Sequence, residues 1–161
     1  MSSLQTLGLW LARIAVSAWV GAAVLFVIVG VSEVTTADFD STIRDRLVVV
    51  RFPWYYATGF TLVPLGALGT AIAHGHRQLS RRAWLAALVL LLLALVGMTG
   101  DYLGIYQPLE RMVTPPGQPR TAEFVTLHRW SARVNGVNLL LCAVAAGLLS
   151  WPSEPRSTMT R

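Results

Sequence analysis

Four long apolar stretches alternate with polar segments along this chain, and each contains a long run without any charged side chain. About 20 apolar residues cross the roughly 30 Å hydrocarbon layer of a membrane as a helix, which rises about 1.5 Å per residue. A helix is the expected form because lipid offers no hydrogen-bond partner to open backbone groups. The pattern predicts four membrane spans, at about residues 14–32, 54–73, 83–101 and 130–151.

Aromatic residues with a polar tip lie at or beside the ends of these stretches, as they do at membrane–water interfaces. They are Trp10, Trp54, Tyr55, Tyr56, Trp84, Tyr102, Tyr106, Trp130 and Trp151. Their placement supports the predicted span boundaries.

The segment before the second span carries its own periodic pattern. Phe39, Ile43 and Leu47 repeat every four residues, which predicts a short amphipathic helix that lies on the membrane surface and ends at Pro53. A strand is less favoured there, because a lone strand has no partner at a membrane surface. Before the last span, a group of prolines precedes Thr121, a suitable N-cap for the final helix.

Composition narrows the class of protein further. The 161-residue chain is 54% hydrophobic and only 13% charged, whereas about 25% of residues are charged in ordinary soluble domains. This balance excludes a typical soluble domain and a disordered chain, and a single cysteine excludes an intramolecular disulfide framework. The expected fold class is an all-α integral membrane four-helix bundle with a short amphipathic interfacial helix, forming one membrane domain over residues 1–161.

Charge placement predicts the orientation in the membrane. Four spans put both termini on the same side as the short turn at residues 74–82, and the outer loops 33–53 and 102–126 on the other. Arginine is densest in the short turn, which favours the cytoplasm for that side. The arginines on that side are Arg13, Arg77, Arg81, Arg82, Arg156 and Arg161. The first apolar stretch is too long for a signal peptide and lacks a following cleavage pattern, so we expect it to remain as an anchor in the inner (plasma) membrane of a bacterium.

The last helix carries a polar stripe. At 100° per residue, five side chains fall within an arc of about 80°, namely His128, Ser131, Asn135, Asn138 and Cys142. Such a stripe must face protein or water rather than lipid. Three interpretations remain open: hydrogen bonds between helices, the lining of a cavity or small-ligand site, and metal or catalytic use. Asp101 ends the third span on the same side of the membrane, within reach of a hydrogen bond to His128.

Several kinds of chemistry are disfavoured by residue positions. The histidines at the inner end of the second span lie a membrane thickness from His128, so they cannot share a haem iron. A copper site through His128, Cys142 and Met98 would need ligands from depths about 20 Å apart on one helix. No nucleotide loop, hydrolase elbow or metalloprotease motif occurs. We therefore expect no cofactor, no metal site and no nucleic-acid partner.

The last third of the chain resembles a known family. Residues 124–135 read F-x-x-L-H-x-x-S-x-x-x-N, and this stretch is similar to a signature of the bacterial four-helix membrane family called domain of unknown function 4149, which is similar to transmembrane protein 205 of eukaryotes. Trp19 and Gly21, the sequence 51–56 and the sequence 102–112 resemble other segments of that family. The resemblance implies a fold and a membrane location without a defined activity, and it points to His128, Ser131 and Asn135 as site residues.

These observations lead to one functional hypothesis and two alternatives. The chain is expected to be a non-enzymatic membrane component that binds a small ligand, a lipid or a partner through the polar outer end of its bundle. The first alternative is a small transporter or permeability factor with a polar path along the fourth helix. The second is a membrane-embedded enzyme that uses His128 and Asp101 as an acid–base pair. The lipid bilayer is the expected partner, and a homo-oligomer or a membrane-complex partner stays open.

Overall fold

A computed structural model describes residues 2–151 of the protein, and these residues are almost entirely helical, without a strand among them. The elements are α1 (Ser3–Thr35), α2 (Ser41–Ile72), α3 (Arg81–Asp101), a π-helical segment (Tyr102–Tyr106), α4 (Gln107–Met112) and α5 (Ala122–Ser150). The sequence-predicted all-helical class is confirmed. Met1 and residues 152–161 lie outside the described part, and with them the predicted inner-side Arg156 and Arg161.

Three helices are long and apolar enough to cross a membrane. They are α1, the continuous helix Arg81–Met112 formed by α3, the π segment and α4, and α5. Helix α2 contains all but the last residue of the remaining predicted span, residues 54–73, but tyrosines, threonines, glycines and Pro64 make that stretch less apolar. A membrane position for α2 stays a prediction.

Helix α2 corrects the prediction of a separate interfacial helix ending at Pro53. The chain is helical there, as expected, but the helix begins at Ser41 and continues through both Pro53 and Pro64 to Ile72. A proline inside a helix removes one backbone hydrogen bond and costs about 3 kcal/mol. Tertiary contacts on both sides of Pro53 offset this cost: Asp45 is completely buried before it, and Tyr56 is buried after it.

Asp45 connects the proline-rich loop of residues 113–121 to the beginning of α2 through an ion pair and a hydrogen bond. Its carboxylate forms an ion pair with Arg120 and accepts a hydrogen bond from the backbone N–H of Gly117 at 2.8 Å. The loop then leads into α5, whose first free N–H groups are capped by Thr121, the residue that the sequence predicted. These contacts of Asp45 fix where α5 begins relative to α2.

The long helices pack in a closed ring around one core, with α1 against α2 and α5, and α3 against α2 and α5. Glycine allows the closest approach, between α1 and α2. A Cβ added to Gly69 would lie 2.7 Å from the backbone nitrogen of Ala12 and 2.7 Å from the carbonyl oxygen of Gly8. The ring brings side chains of α2, α3 and α5 together at the end of α3.

Candidate functional site

Asp101, the last residue of α3, is the centre of a buried hydrogen-bond cluster. Only 1% of its surface is exposed. Its Oδ2 atom accepts a hydrogen bond from the hydroxyl of Tyr56 at 2.5 Å and another from the side-chain amide of Asn135 at 2.8 Å. The hydroxyl of Ser131 lies 3.5 Å from the same oxygen. One carboxylate oxygen therefore connects α2, α3 and α5.

Asn135 extends this cluster to a second tyrosine. Its Oδ1 atom accepts a hydrogen bond from the hydroxyl of Tyr55 at 3.0 Å, and its amide also donates to the carbonyl and hydroxyl oxygens of Ser131. We refer to Tyr55, Tyr56, Asp101, Ser131 and Asn135 as the polar cluster. Because Asn135 uses both ends of its amide, it holds the cluster in one arrangement.

The two oxygens of Asp101 have different surroundings. Oδ2 has three polar neighbours, whereas Oδ1 is buried and has no hydrogen-bond partner among residues 2–151. The ion pairs of the described residues do not include Asp101. A buried carboxyl oxygen without a hydrogen-bond partner costs free energy, and in a native structure it calls for an explanation, such as an ion, a water or a ligand that bonds to it. Oδ1 is thus the atom at which a further donor would be stabilised.

The π segment follows Asp101 directly and places two tyrosines beside the cluster. π-helical turns within α-helices often occur at functional sites. The rings of Tyr102 and Tyr106 lie nearly parallel, with centroids 5.5 Å apart, and both contact the ring of Tyr56. The hydroxyl of Tyr106 donates to Oε1 of Glu110 at 2.9 Å.

These side chains line a groove of about 310 Å³ between α2 and the π segment, which we call the aromatic groove. Its lining consists of Pro53, Tyr56, Ala57, Phe60, Tyr102, Tyr106 and Glu110. Tyr56 belongs to both features, because its ring lines the groove while its hydroxyl bonds to Asp101. The aromatic groove and the buried carboxyl group are thereby adjacent.

A second groove, of about 270 Å³, lies on the other side of α2 against α1. Its walls include Trp19, Ala22, Trp54 and Tyr55, and it contains the guanidinium of Arg51, which pairs with Glu33 at 2.5 Å. We call it the α1–α2 groove. Tyr55 links this groove to the polar cluster, as Tyr56 links the aromatic groove.

The sequence-predicted stripe on α5 separates into three groups in the structure: one in the polar cluster, one buried deeper in the bundle, and the exposed His128. Ser131 and Asn135 join Asp101 in the polar cluster. Asn138 is buried against Gly97, deeper along the same interface, and its amide nitrogen has no partner among the described residues. Cys142 is also buried.

His128 does not join the cluster. Its side chain is exposed and stacks on Phe124 of its own helix, with ring centroids 5.9 Å apart. No hydrogen bond connects His128 to Asp101 within the described chain, so the geometry does not provide the proposed acid–base pair. The physical reason is position on the helix: His128 precedes Ser131 by almost a full turn, and its side chain is exposed.

The sequence reasoning missed the tyrosines as site residues. The span-end pattern predicts an interfacial belt for Tyr55, Tyr56, Tyr102 and Tyr106, whereas in the structure all four contribute to the cluster or to the grooves. Adjacent residues on a helix point about 100° apart, so the pair at 55 and 56 could have indicated contacts with two different neighbours. No such signal indicated which neighbours these would be.

His76 is a buried histidine outside the polar cluster. It lies in the turn between α2 and α3, is only 2% exposed, and its Nδ1 accepts the backbone N–H of Gln78 at 3.2 Å. Burial lowers the pKa of His76 below its usual 6.5, and the nearby cations Arg13 and Arg77 lower it further. The ring is therefore favoured in its neutral form.

Comparison with known proteins adds no relative to this description. No family model matches the chain, and the comparisons with curated proteins and with solved structures found no match. The resemblance to domain of unknown function 4149 therefore stays a prediction from the residues themselves.

Proposed function

We propose that this chain is a four-span integral membrane protein that binds an amphipathic small molecule or lipid at the aromatic groove. In this proposal α2 is the fourth span, both termini face the cytoplasm, and the protein belongs to the family whose signature its last helix resembles. The protein acts as a binding component of the plasma membrane rather than as an enzyme. Its ligand places an apolar part against the aromatic walls and a polar part beside the acidic end of the groove.

One observation carries this proposal: Tyr56 is shared between the aromatic groove and Asp101. A ligand that contacts the Tyr56 ring is next to a buried carboxyl group with one unpaired oxygen. Ligand sites commonly combine apolar and aromatic walls with a few fixed polar groups. The polar cluster holds Tyr56 in place from behind, so the groove is formed before a ligand arrives.

The volume of the groove limits what it accommodates. Small-molecule pockets span about 300–1,000 Å³, and the aromatic groove, at about 310 Å³, lies at the lower end of that range. It is large enough for a head group or a short chain, but too small for a whole lipid. The rest of a lipid ligand would extend along the outside of α2 into the bilayer.

Blocking each groove in turn tests the proposal. Ala57→Trp places a large ring in the aromatic groove, and Ala22→Trp makes the same change in the α1–α2 groove. The protein is extracted in dodecyl maltoside and its retained lipid-sized adducts are measured by native mass spectrometry. We expect the adduct on the native chain and on Ala22→Trp, and its loss from Ala57→Trp. Retention by Ala57→Trp, or no adduct on the native chain, overturns the proposal.

A second candidate function is transport along α5, and Asn138 is the observation that favours it. Its unpartnered amide nitrogen lies against Gly97, one helical turn below Asp101 on α3. The two orphaned polar atoms would mark successive positions on a polar path. In liposomes loaded with a pH-sensitive dye, Asn135→Leu and Asn138→Leu should then abolish proton flux while the helical content is preserved. Unchanged flux, or none in the native chain, argues against this function.

A further inference from the structure

We propose that the aromatic groove selects positively charged ligands, specifically an organic ammonium group on a short alkyl chain. This inference rests on the proposed function, because it names the ligand class of the same groove. It is carried by the acidic residue that lines the groove, by the half-buried ring of Tyr102, and by the contrast with the α1–α2 groove.

The one charged residue among those that line the aromatic groove is acidic. Glu110 lies in its lining, and Asp101 lies directly behind Tyr56. No basic side chain is among the lining residues, and Glu110 forms no ion pair within residues 2–151. The whole chain carries 13 basic and 8 acidic residues and a net charge of +5. The charge at the lining of the groove is therefore opposite in sign to the net charge of the chain. A cation is the ligand charge that it stabilises.

The aromatic walls favour the same charge. The face of an aromatic ring is electron-rich and attracts alkylammonium groups. Tyr102 and Tyr106 are nearly parallel, with 23° between their planes, and Tyr56 packs against both. Their centroids are 4.7–5.5 Å apart, so the rings pack on one another and form a wall rather than a cage. Tyr56 and Tyr106 are buried, and Tyr106 also stacks on Phe52. The half-buried ring of Tyr102 is therefore the part of the wall on which a cation would bind.

Glu110 lies at the edge of the aromatic wall, beside Tyr106. One of its carboxylate oxygens accepts the Tyr106 hydroxyl at 2.9 Å, and the other makes no hydrogen bond to the described residues. The first contact orients the carboxylate, and the second oxygen can then face an ammonium group. The combination of oriented carboxylate and aromatic wall is complementary to a cation with an apolar body.

The α1–α2 groove provides an internal comparison. It is also lined by aromatic rings, but Arg51 lies in its wall, with the guanidinium 4.5 Å from the ring centroid of Phe26. The face of Phe26 is thus already occupied by the guanidinium of Arg51, which is itself paired with Glu33, so this ring face is not free for a second cation. Of the two grooves, only the aromatic groove has the charge for an ammonium ligand.

The four tyrosines of the chain allow a direct test, because all of them lie at these sites. Uniform labelling with 3-fluorotyrosine gives four ¹⁹F resonances, which Tyr→Phe variants assign. The protein is held in dodecyl maltoside, whose head group is uncharged. It is titrated with octyltrimethylammonium, octanol or octyl sulfate, which share a chain and differ in charge. Empty micelles correct for partitioning of each probe.

We expect octyltrimethylammonium to shift the resonances of Tyr56, Tyr102 and Tyr106 in a saturable way. Octanol should bind more weakly and octyl sulfate weakest. Glu110→Gln removes the charge but keeps an acceptor for Tyr106, and it should weaken cation binding about tenfold, as does a lost interaction of ordinary ion-pair strength. Tyr102→Leu should weaken it by about twofold to thirtyfold, the range for one cation–π contact.

Glu123→Gln is the matched control, because Glu123 is an exposed carboxylate in the first turn of α5 and lines neither groove. It should leave cation binding unchanged. If the three probes bind equally well and Glu110→Gln has no effect, the cation preference is wrong while amphiphile binding stands. If no probe moves Tyr56, Tyr102 or Tyr106, both the preference and the proposed function are wrong.

Discussion

The hydroxyl of Tyr56 lies 2.5 Å from Oδ2 of Asp101, and this contact joins the middle of α2 to the end of α3. The same tyrosine ring forms part of the aromatic groove. A single side chain therefore connects a buried acid of the bundle to the surface at which we place the ligand.

The Tyr56–Asp101 contact should be measurable as a coupling energy. Tyr56→Phe removes one donor from a buried carboxyl group, which should lower the free energy of unfolding by about 1–3 kcal/mol. In the Asp101→Asn background the same change should cost less, because contacting residues are not additive. Unfolding in detergent micelles of the native chain, both single variants and the double variant measures this difference.

Tyr106→Phe is the control for that cycle. Its hydroxyl donates to Glu110 and not to Asp101, so its effect should be the same with and without Asp101→Asn. Equal coupling of Tyr56 and Tyr106 to Asp101 would show that the 2.5 Å contact has no special energetic role.

The two asparagines of α5 should respond differently to the same substitution. Asn135→Leu leaves Tyr55 without its acceptor and Asp101 without one donor, which should cost about 1–3 kcal/mol per unsatisfied group. Asn138→Leu keeps nearly the same shape and removes a buried amide nitrogen that lacks a partner. The free energy of unfolding should therefore stay near the native value.

Thermal unfolding in dodecyl maltoside compares these two variants. A loss for Asn138→Leu as large as that for Asn135→Leu would mean that the amide of Asn138 has a stabilising partner in solution, such as a buried water.

Gly69 should be intolerant of any side chain. A Cβ there would lie 2.7 Å from backbone atoms of both Gly8 and Ala12, and backbone atoms cannot move aside without separating α1 from α2. Gly69→Ala should lower the free energy of unfolding by about 1–3 kcal/mol, as overpacking generally does. Gly21→Ala is the control, since outside its own helix backbone no atom of residues 2–151 lies within 4 Å of an added Cβ. That substitution should stabilise the protein by up to about 1 kcal/mol through helix propensity. Equal melting temperatures for the two variants would rule out the close approach.

His76 should make stability depend on pH in a defined direction. Its pKa is lowered from 6.5 by burial and by Arg13 and Arg77, so below pH 6.5 the unfolded chain binds a proton that the folded chain resists. Stability from this group is present above pH 6.5 and is lost as the pH falls toward the folded-state pKa. The melting temperature should therefore decrease on acidification through this range.

His76→Gln should reduce that pH dependence, and His74→Gln should retain it, because His74 is exposed in the same turn. A slope that is unchanged in His76→Gln would assign the pH dependence to other groups.

Some features of this protein follow from the sequence because they depend on neighbouring residues only. Uncharged apolar runs made the helices predictable, and Thr121 was predictable as a cap because capping needs one side chain and the next few N–H groups. The inward orientation of Ser131, Asn135 and Asn138 followed from helical periodicity, which fixes directions around a single helix.

Other features depended on the tertiary structure. Periodicity does not state how far one helix is shifted or rotated against another, and that relation decides that Tyr56 meets Asp101 while His128 remains exposed. The continuation of α2 through Pro53 has the same origin, since distant partners such as Arg120 stabilise the helix before the proline. Local chemistry thus determined the helices and their polar faces, whereas the site formed where three helices met, because its contacts join residues far apart in the chain.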